Sequence, residues 1–136
     1  MNEVGASRGS RTSSHAWANE HYVKELHCDL PAANVAGPVP AVTGACIMIS
    51  ASLYAAFGGL RGGYVQGDYE DTDLGLRLAE AGLDSWCLPS VGLYHLEGES
   101  YPSEEWKVAS QFNKGLHAYP WNDAIEQRAS RSGAKS

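Results

Sequence analysis

No charged residue occurs across residues 31–60, and this neutral run constrains the fold more than any other feature of the chain. Such a run is either a membrane span or buried structure. Residues 42–60 are mostly apolar, but they include Thr43, Ser50, Ser52 and the Gly58-Gly59 pair, with Pro38 and Pro40 just upstream. A span needs about 20 consecutive apolar residues, so a buried strand followed by a short helix fits better and no transmembrane helix is expected. Residues 42–49, an apolar run with β-branched ends, are read as that strand. Ser50 offers an N-cap for a helix through Phe57, and Gly58 offers its C-terminal cap.

Beyond the neutral run come glycines and then acids. Residues 58–69 hold five glycines, a loop with room for close backbone approach. Asp71 or Asp73 can cap the next helix, expected to run to about Ala81 and stop at Gly82. Leu74, Leu78 and Ala81 fall at i, i+4 and i+7 and make one buried stripe. Residues 85–88 and 91–94 read as two short strands broken at Pro89. Ser103, followed by Glu104 and Glu105, starts a last helix with Trp106, Ala109, Phe112 and Leu116 on its apolar side. Alternating strands and helices predict an α/β architecture. At 136 residues the chain suits a single domain. Residues 1–14 are expected as a flexible leader, 15–128 as the domain, with 15–41 mostly irregular, and 129–136 as a flexible tail.

Charge and cysteine usage exclude several classes. Ten Lys and Arg against sixteen Asp and Glu leave a net charge of -6. Phosphate contacts need a basic face, so nucleic acid is not an expected partner. Cys28, Cys46 and Cys87 are odd in number and widely spaced, with no C-x-x-C pair, which argues against a disulfide framework or a zinc knuckle. Cys46 and Cys87 lie in apolar runs and are expected as buried thiols in a reducing compartment. The first 14 residues contain no apolar core of a secretory signal, so a cytoplasmic location is expected.

The acids are unevenly spread. Between Gln66 and Glu105, Asp68, Glu70, Asp71, Asp73, Glu80, Asp84, Glu97, Glu99, Glu104 and Glu105 face a single base, Arg77. Asp68, Glu70, Asp71 and Asp73 crowd into six residues, which costs energy unless a cation, a helix N-terminus or a catalytic role offsets it. A helix N-terminus decorated with solvated acids is the plain alternative. His95 ends an apolar, strand-like run, a place where sites in open α/β sheets gather; satisfaction by backbone or a neighbouring acid is its alternative. Gly44, inside Thr43-Gly44-Ala45-Cys46, marks close approach of a ligand or simply of a packed helix. His15, His21, His27 and His117 show no ligand-like spacing and are left as surface or core residues.

Three segments, VPAVTGACIMIS, FGGLRGGYVQGDYEDTDLGLRLAEAG and LYHLEGES, in that order and spacing, resemble the C-terminal half of the catalytic domain of family 2 glycosyltransferases, notably bacterial rhamnosyltransferase-like members. The likeness covers roughly residues 39–100 and extends weakly through SQFNKGLHAYPW. It implies part of a GT-A fold, a mixed sheet flanked by helices. It also implies a nucleotide-sugar donor, a carbohydrate or glycolipid acceptor, and a divalent cation, Mg or Mn. On this resemblance Asp71 is the general base, Glu70 orients the acceptor or the base, and Asp73 is structural. Thr43, Gly44, Ala45 and Asp68 line the substrate, and His95 touches the metal or the diphosphate. The family's nucleotide-binding strands and D-x-D-like element have no counterpart in residues 1–41; the sole D-x-D is Asp71-Thr72-Asp73. The resemblance therefore implies an acceptor-side half that works with a donor-half partner chain or within a longer parent, at the inner face of the membrane if the acceptor is a lipid. Two alternatives stay open. One is a non-catalytic binding or assembly module that keeps the fold remnant and self-associates or pairs with a donor-half chain; the other is a small cation-binding protein using Asp68, Glu70, Asp71 and His95.

Overall fold

The structure, a computed structural model, describes residues 7–11, 17–21, 30, 31, 34–93 and 103–133. In chain order the elements are β1 (Ser7–Arg11), β2 (Trp17–His21), β3 (Gly37–Val39), α1 (Ala51–Ala56), α2 (Glu70–Glu80), β4 (Ser85–Cys87) and α3 (Ser103–Gly133). The protein is thus mixed α/β. β1 lies within the expected leader, and α3 runs on into the residues expected as a tail. No helix among the described residues is long and apolar enough to cross a membrane.

The sheet differs from expectation. Among the described residues the strands form two separate antiparallel ladders, β1 with β2 and β3 with β4, rather than one mixed sheet. Pro38, opposite Trp86, has no N–H to offer a further neighbour, which suits β3 to an edge. Residues 42–49 are not a strand either: Val42 makes an isolated bridge, and the chain then turns, with the Cys46 N–H donating to the Thr43 carbonyl at 3.3 Å. The Gly44 N–H, which a strand would give to a neighbour, goes to the Asp71 carboxylate. Met48 is left 98% exposed, and Cys46 is exposed rather than buried. Cys87 is buried as expected, and desolvation pushes its thiol pKa up. Cys28 lies outside the described residues. Residues 91–93 also form no strand; the Val91 N–H closes a turn onto the Leu88 carbonyl around Pro89.

α1 follows its sequence signals. The Ser50 hydroxyl accepts the Leu53 N–H at 3.2 Å, and the chain leaves the helix through Gly58 and Gly59 at φ +72° and +62°. The loop returns to α1 where the Leu60 N–H donates to the Tyr54 hydroxyl.

α2 is the centre of the molecule. Leu74 and Leu78 are buried as the stripe predicts, but Ala81 is exposed, and Thr72, Asp73, Gly75 and Leu76 are buried too. Gly75 explains part of this. A Cβ there would come within 2.6 Å of Ala41 Cβ and 2.9 Å of Ala41 Cα. The missing side chain lets the backbone after β3 lie directly on α2. α2 also neighbours β4, and α3 neighbours β2. The core joins Ala41, Leu74, Leu76, Leu78 and Cys87 to Ala109, Ala118 and Trp121 of α3.

α3 is rotated from the expected face. Ala109 is buried, but Trp106, Phe112 and Leu116 are 41%, 57% and 41% exposed. Asn113 and His117 are buried in their place. The reason is polar rather than apolar. The loop under α3 carries backbone groups that need partners, and an apolar face would leave them unsatisfied.

Candidate functional site

The site is built on the turn that leads into α2. Gln66, Gly67, Asp68 and Tyr69 have φ of 57°, 77°, 86° and 73°, four successive residues in the left-handed region. Three of them are not glycine, and each such residue costs on the order of 1 kcal/mol or more. Tyr69 is the N-cap of α2 and makes no side-chain cap. Neither Asp71 nor Asp73 is the cap, contrary to expectation. Asp71 acts from inside the first turn, where its Oδ1 accepts the Thr72 N–H at 2.6 Å. Glu70, Asp71 and Asp73 all lie in that first turn, where the helix dipole favours negative charge.

A stripe of α3 side chains holds this turn. Ser110 donates its hydroxyl to Asp68 Oδ2 at 2.6 Å. Asn113 Oδ1 accepts the Val65 N–H, and its Nδ2 donates to the Val65 and Gly67 carbonyls, all at 2.8 Å. His117 packs its ring against Tyr69, centroids 5.1 Å apart, with Nδ1 at 3.5 Å from the Tyr64 hydroxyl. Trp121 Nε1 donates to Asp73 Oδ1 at 2.9 Å. Burial lowers the His117 pKa to about 4 against the pull of Asp73 and Asp71, and its Nε2 is buried without a partner. Burial, then the charge of Asp73, pushes the Tyr64 hydroxyl up to about 12.

Asp73, expected as a cap of α2, is instead a buried ion-pair partner. It is fully buried, and its Oδ2 accepts Arg77 Nε at 2.8 Å while Oδ1 also accepts Arg61 Nη1 at 3.3 Å. Arg77 then donates Nη1 to the Phe57 carbonyl and Nη2 to the Gly59 carbonyl. One ion pair so ties the end of α1, the glycine loop, α2 and α3 together.

Asp68, Glu70 and Asp71 form the outer rim. Desolvation first, and then the charge of Asp71, raises the Asp68 pKa against the opposing Ser110 hydrogen bond. Desolvation likewise raises Glu70, with Asp71 and Asp68 adding to it. Glu70 Oε2 is buried without a partner. Asp71 is half-buried; Oδ1 takes the Thr72 N–H and hydroxyl, and Oδ2 takes the Gly44 N–H at 2.6 Å. A carboxylate oxygen has two lone-pair directions, so Oδ2 keeps one for a further donor. The structure thus brings Gly44 onto Asp71, with the Thr43 hydroxyl accepting the Ala45 N–H in the same turn, and sets Asp68, Glu70 and Asp71 close enough to feel one another's charge. His95 lies outside the described residues.

Among the described residues no group of three or more His, Cys, Asp or Glu is arranged to hold a metal ion. Ser110, Asn113, His117 and Trp121 were not singled out as site residues by their chemistry. Their signal is positional: they recur at i, i+3, i+7 and i+11 on α3, all with polar handles. Compared with protein-family models, curated proteins and solved structures, the chain gives no match.

Proposed function

We propose that the chain is the acceptor-side half of an inverting glycosyltransferase of GT-A type, with Asp71 as general base. One observation carries the reading. Two segments of the resemblance, 27 residues apart, meet where the Gly44 N–H donates to Asp71 Oδ2, on a half-buried carboxylate with a lone pair to spare. In the proposed step the acceptor hydroxyl attacks the anomeric carbon of a nucleotide-sugar. The new C–O bond forms as the bond to the diphosphate breaks, and the nucleoside diphosphate leaves with that electron pair. The hydroxyl proton passes to Asp71 Oδ2. Glu70, beside it, orients the acceptor, and Asp68 and the 43–45 backbone line the sugar. The donor site comes from a partner chain, a second copy or further sequence. A Mg or Mn cation belongs with that half, and the step assigned to Asp71 does not pass through it.

Isothermal titration with UDP, GDP and dTDP, each with and without Mn, tests whether the chain contributes to a donor site. Asp71→Asn is then expected to abolish transfer, in the presence of a donor-binding half, while donor binding persists. Transfer that survives Asp71→Asn within about tenfold would remove Asp71 as the base.

A second reading, a non-catalytic assembly module, is favoured by the exposed apolar side chains of α3 and the β4 region. Trp86 and Leu88 are 56% and 60% exposed, Phe112 57% and Tyr119 95%. A stable dimer by analytical ultracentrifugation, with no nucleotide binding and no effect of Asp71→Asn, would select it.

A further inference from the structure

We infer that Asn113 is a positioning residue of this site: by binding the backbone at Val65, just before the left-handed turn, and at Gly67 within it, its carboxamide sets where Asp68, Glu70 and Asp71 stand. The inference rests on reading those carboxylates as the reactive rim. It adds to that rim a residue that acts on it through the backbone.

The turn does not hold itself. Four successive positive φ values, three of them at side-chain-bearing residues, run against the intrinsic preference of the chain. Its support comes from α3. The Asn113 carboxamide binds Val65 on both its N–H and its carbonyl, as a neighbouring strand would, and reaches on to the Gly67 carbonyl. Three of its hydrogen-bonding positions are thereby used, in a side chain with no exposure at all. Aspartate would lose both donors, and serine would not reach. Gly67 stands directly beside Glu70, since a Cβ on it would lie 3.5 Å from Glu70 Oε1. The carbonyl that Asn113 holds therefore belongs to the residue packed against the acid. Ser110 fixes Asp68 from the preceding turn of α3, and His117 meets Tyr64 and Tyr69 at the two ends of the segment from the following one. A helix is a more rigid support than a loop, and it fixes side-chain positions correspondingly better.

The test uses the full chain and needs no turnover. Carboxyl titrations of Asp68 and Glu70 by NMR, and hydrogen exchange at the Val65 amide, are compared between the unaltered chain and Asn113→Ala. In the folded variant the Val65 amide is expected to exchange roughly tenfold faster. Both carboxyl titrations are expected to fall toward ordinary carboxylate values as the turn opens to water. Adding Gln66→Gly, which tolerates the left-handed conformation, is expected to restore part of both changes. A lower melting temperature with unchanged titrations and unchanged Val65 exchange would overturn the proposal. If Asn113→Ala does not fold, the unaltered chain decides. Its Asn113 side-chain amide hydrogens, both donated, are expected to exchange roughly tenfold slower than those of a free asparagine, and exchange at the free rate overturns the proposal. Transfer insensitive to Asp71→Asn would remove the base assignment and leave these measurements to judge Asn113 by themselves.

Discussion

Removing the Asp73 carboxylate is expected to be the most damaging single change in the described molecule. Asp73 has no exposure, and its three side-chain donors differ in what they lose. Arg61 is 55% exposed, so its 3.3 Å contact is screened by water and worth at most about 1 kcal/mol. Arg77 is only 11% exposed, and Asp73→Ala strands its guanidinium charge. Breaking a buried pair from one side costs about 3–5 kcal/mol. Trp121 Nε1 loses its partner at a residue 5% exposed, which adds about 1–3 kcal/mol if the group stays dry. These terms share one carboxylate and do not simply add, so a net loss of about 4 kcal/mol is expected.

That loss is comparable with the whole stability of many domains, about 5–15 kcal/mol. Asp73→Asn, which keeps the shape and an acceptor for Trp121 but still strands the Arg77 charge, is therefore measured alongside, with an expected cost of about 3 kcal/mol. Urea unfolding followed by far-ultraviolet circular dichroism and tryptophan fluorescence gives each value. Arg61→Ala should cost no more than about 1 kcal/mol. The double variant Asp73→Ala/Arg77→Ala should cost about 2 kcal/mol or more less than the sum of its parts, since no charge is then stranded. Asp73→Ala within about 1 kcal/mol of the unaltered chain, or an Arg61→Ala effect of equal size, would refute the assignment of Asp73 as the tie between α1, α2 and α3.

Two glycines inside helices should respond with opposite sign to the same change. Gly75→Ala drives a Cβ into Ala41 and is expected to lose about 1–2 kcal/mol net of its helix-propensity gain, whereas Gly115→Ala, with open space around it, is expected to gain about 0.5–1 kcal/mol; thermal unfolding that gives both the same sign would contradict the packing. Ser50→Ala should cost about 1 kcal/mol, seen as faster amide exchange in α1, because that helix has no buried residue to hold it once the cap is gone. For His117 the folded pKa of about 4 lies below the ordinary 6.5, so the unfolded chain binds the proton first and stability falls as pH drops from 6.5 to 4. By that shift the full loss is about 3 kcal/mol. Asp68 and Glu70, both raised, act in the opposite direction, gaining stability as pH falls through their folded pKa values toward their unfolded ones. The His117 share is therefore read as the stability difference between the unaltered chain and His117→Gln, and a difference that does not change with pH would exclude it.

Local chemistry was legible in the sequence where one residue decides one event. Ser50 caps α1, Gly58 ends it, Gly82 follows α2 at φ +79°, and residues 58–69 form the expected loop. What depends on partners far along the chain was not legible. Residues 42–49 have the composition of a strand, yet Gly44 gives its N–H to Asp71, and no local pattern announces that. Asp73 carries the signature of a capping acid, but Arg77 four residues on, with Arg61 and Trp121, makes it a buried hub. The rotation of α3 escaped for the same reason. Hydrophobic spacing selects Trp106, Phe112 and Leu116, whereas the face that packs is chosen by backbone groups of a loop some fifty residues earlier, about 48 in the case of Asn113 and Val65.

The cost concentrated at residues 66–71 bears on which account of the acids is better. A helix start that merely displays solvated carboxylates needs none of what is found here. A Ser or Asp in extended backbone at the N-cap would serve it, without left-handed residues and without buried acids. Instead Tyr69 enters α2 left-handed, Asp68 and Glu70 are drawn partly out of water beside Asp71, and Ser110, Asn113 and His117 are turned inward to hold the arrangement. The left-handed backbone and the desolvated acids oppose stability, the hydrogen bonds from α3 offset them, and the geometric result is three carboxylates held close together, one of them bound to Gly44. Strain maintained by surrounding structure clusters at sites that bind or react. The inference from it runs to function, and Asp71, with an open lone pair at the rim, is the residue to which it leads first.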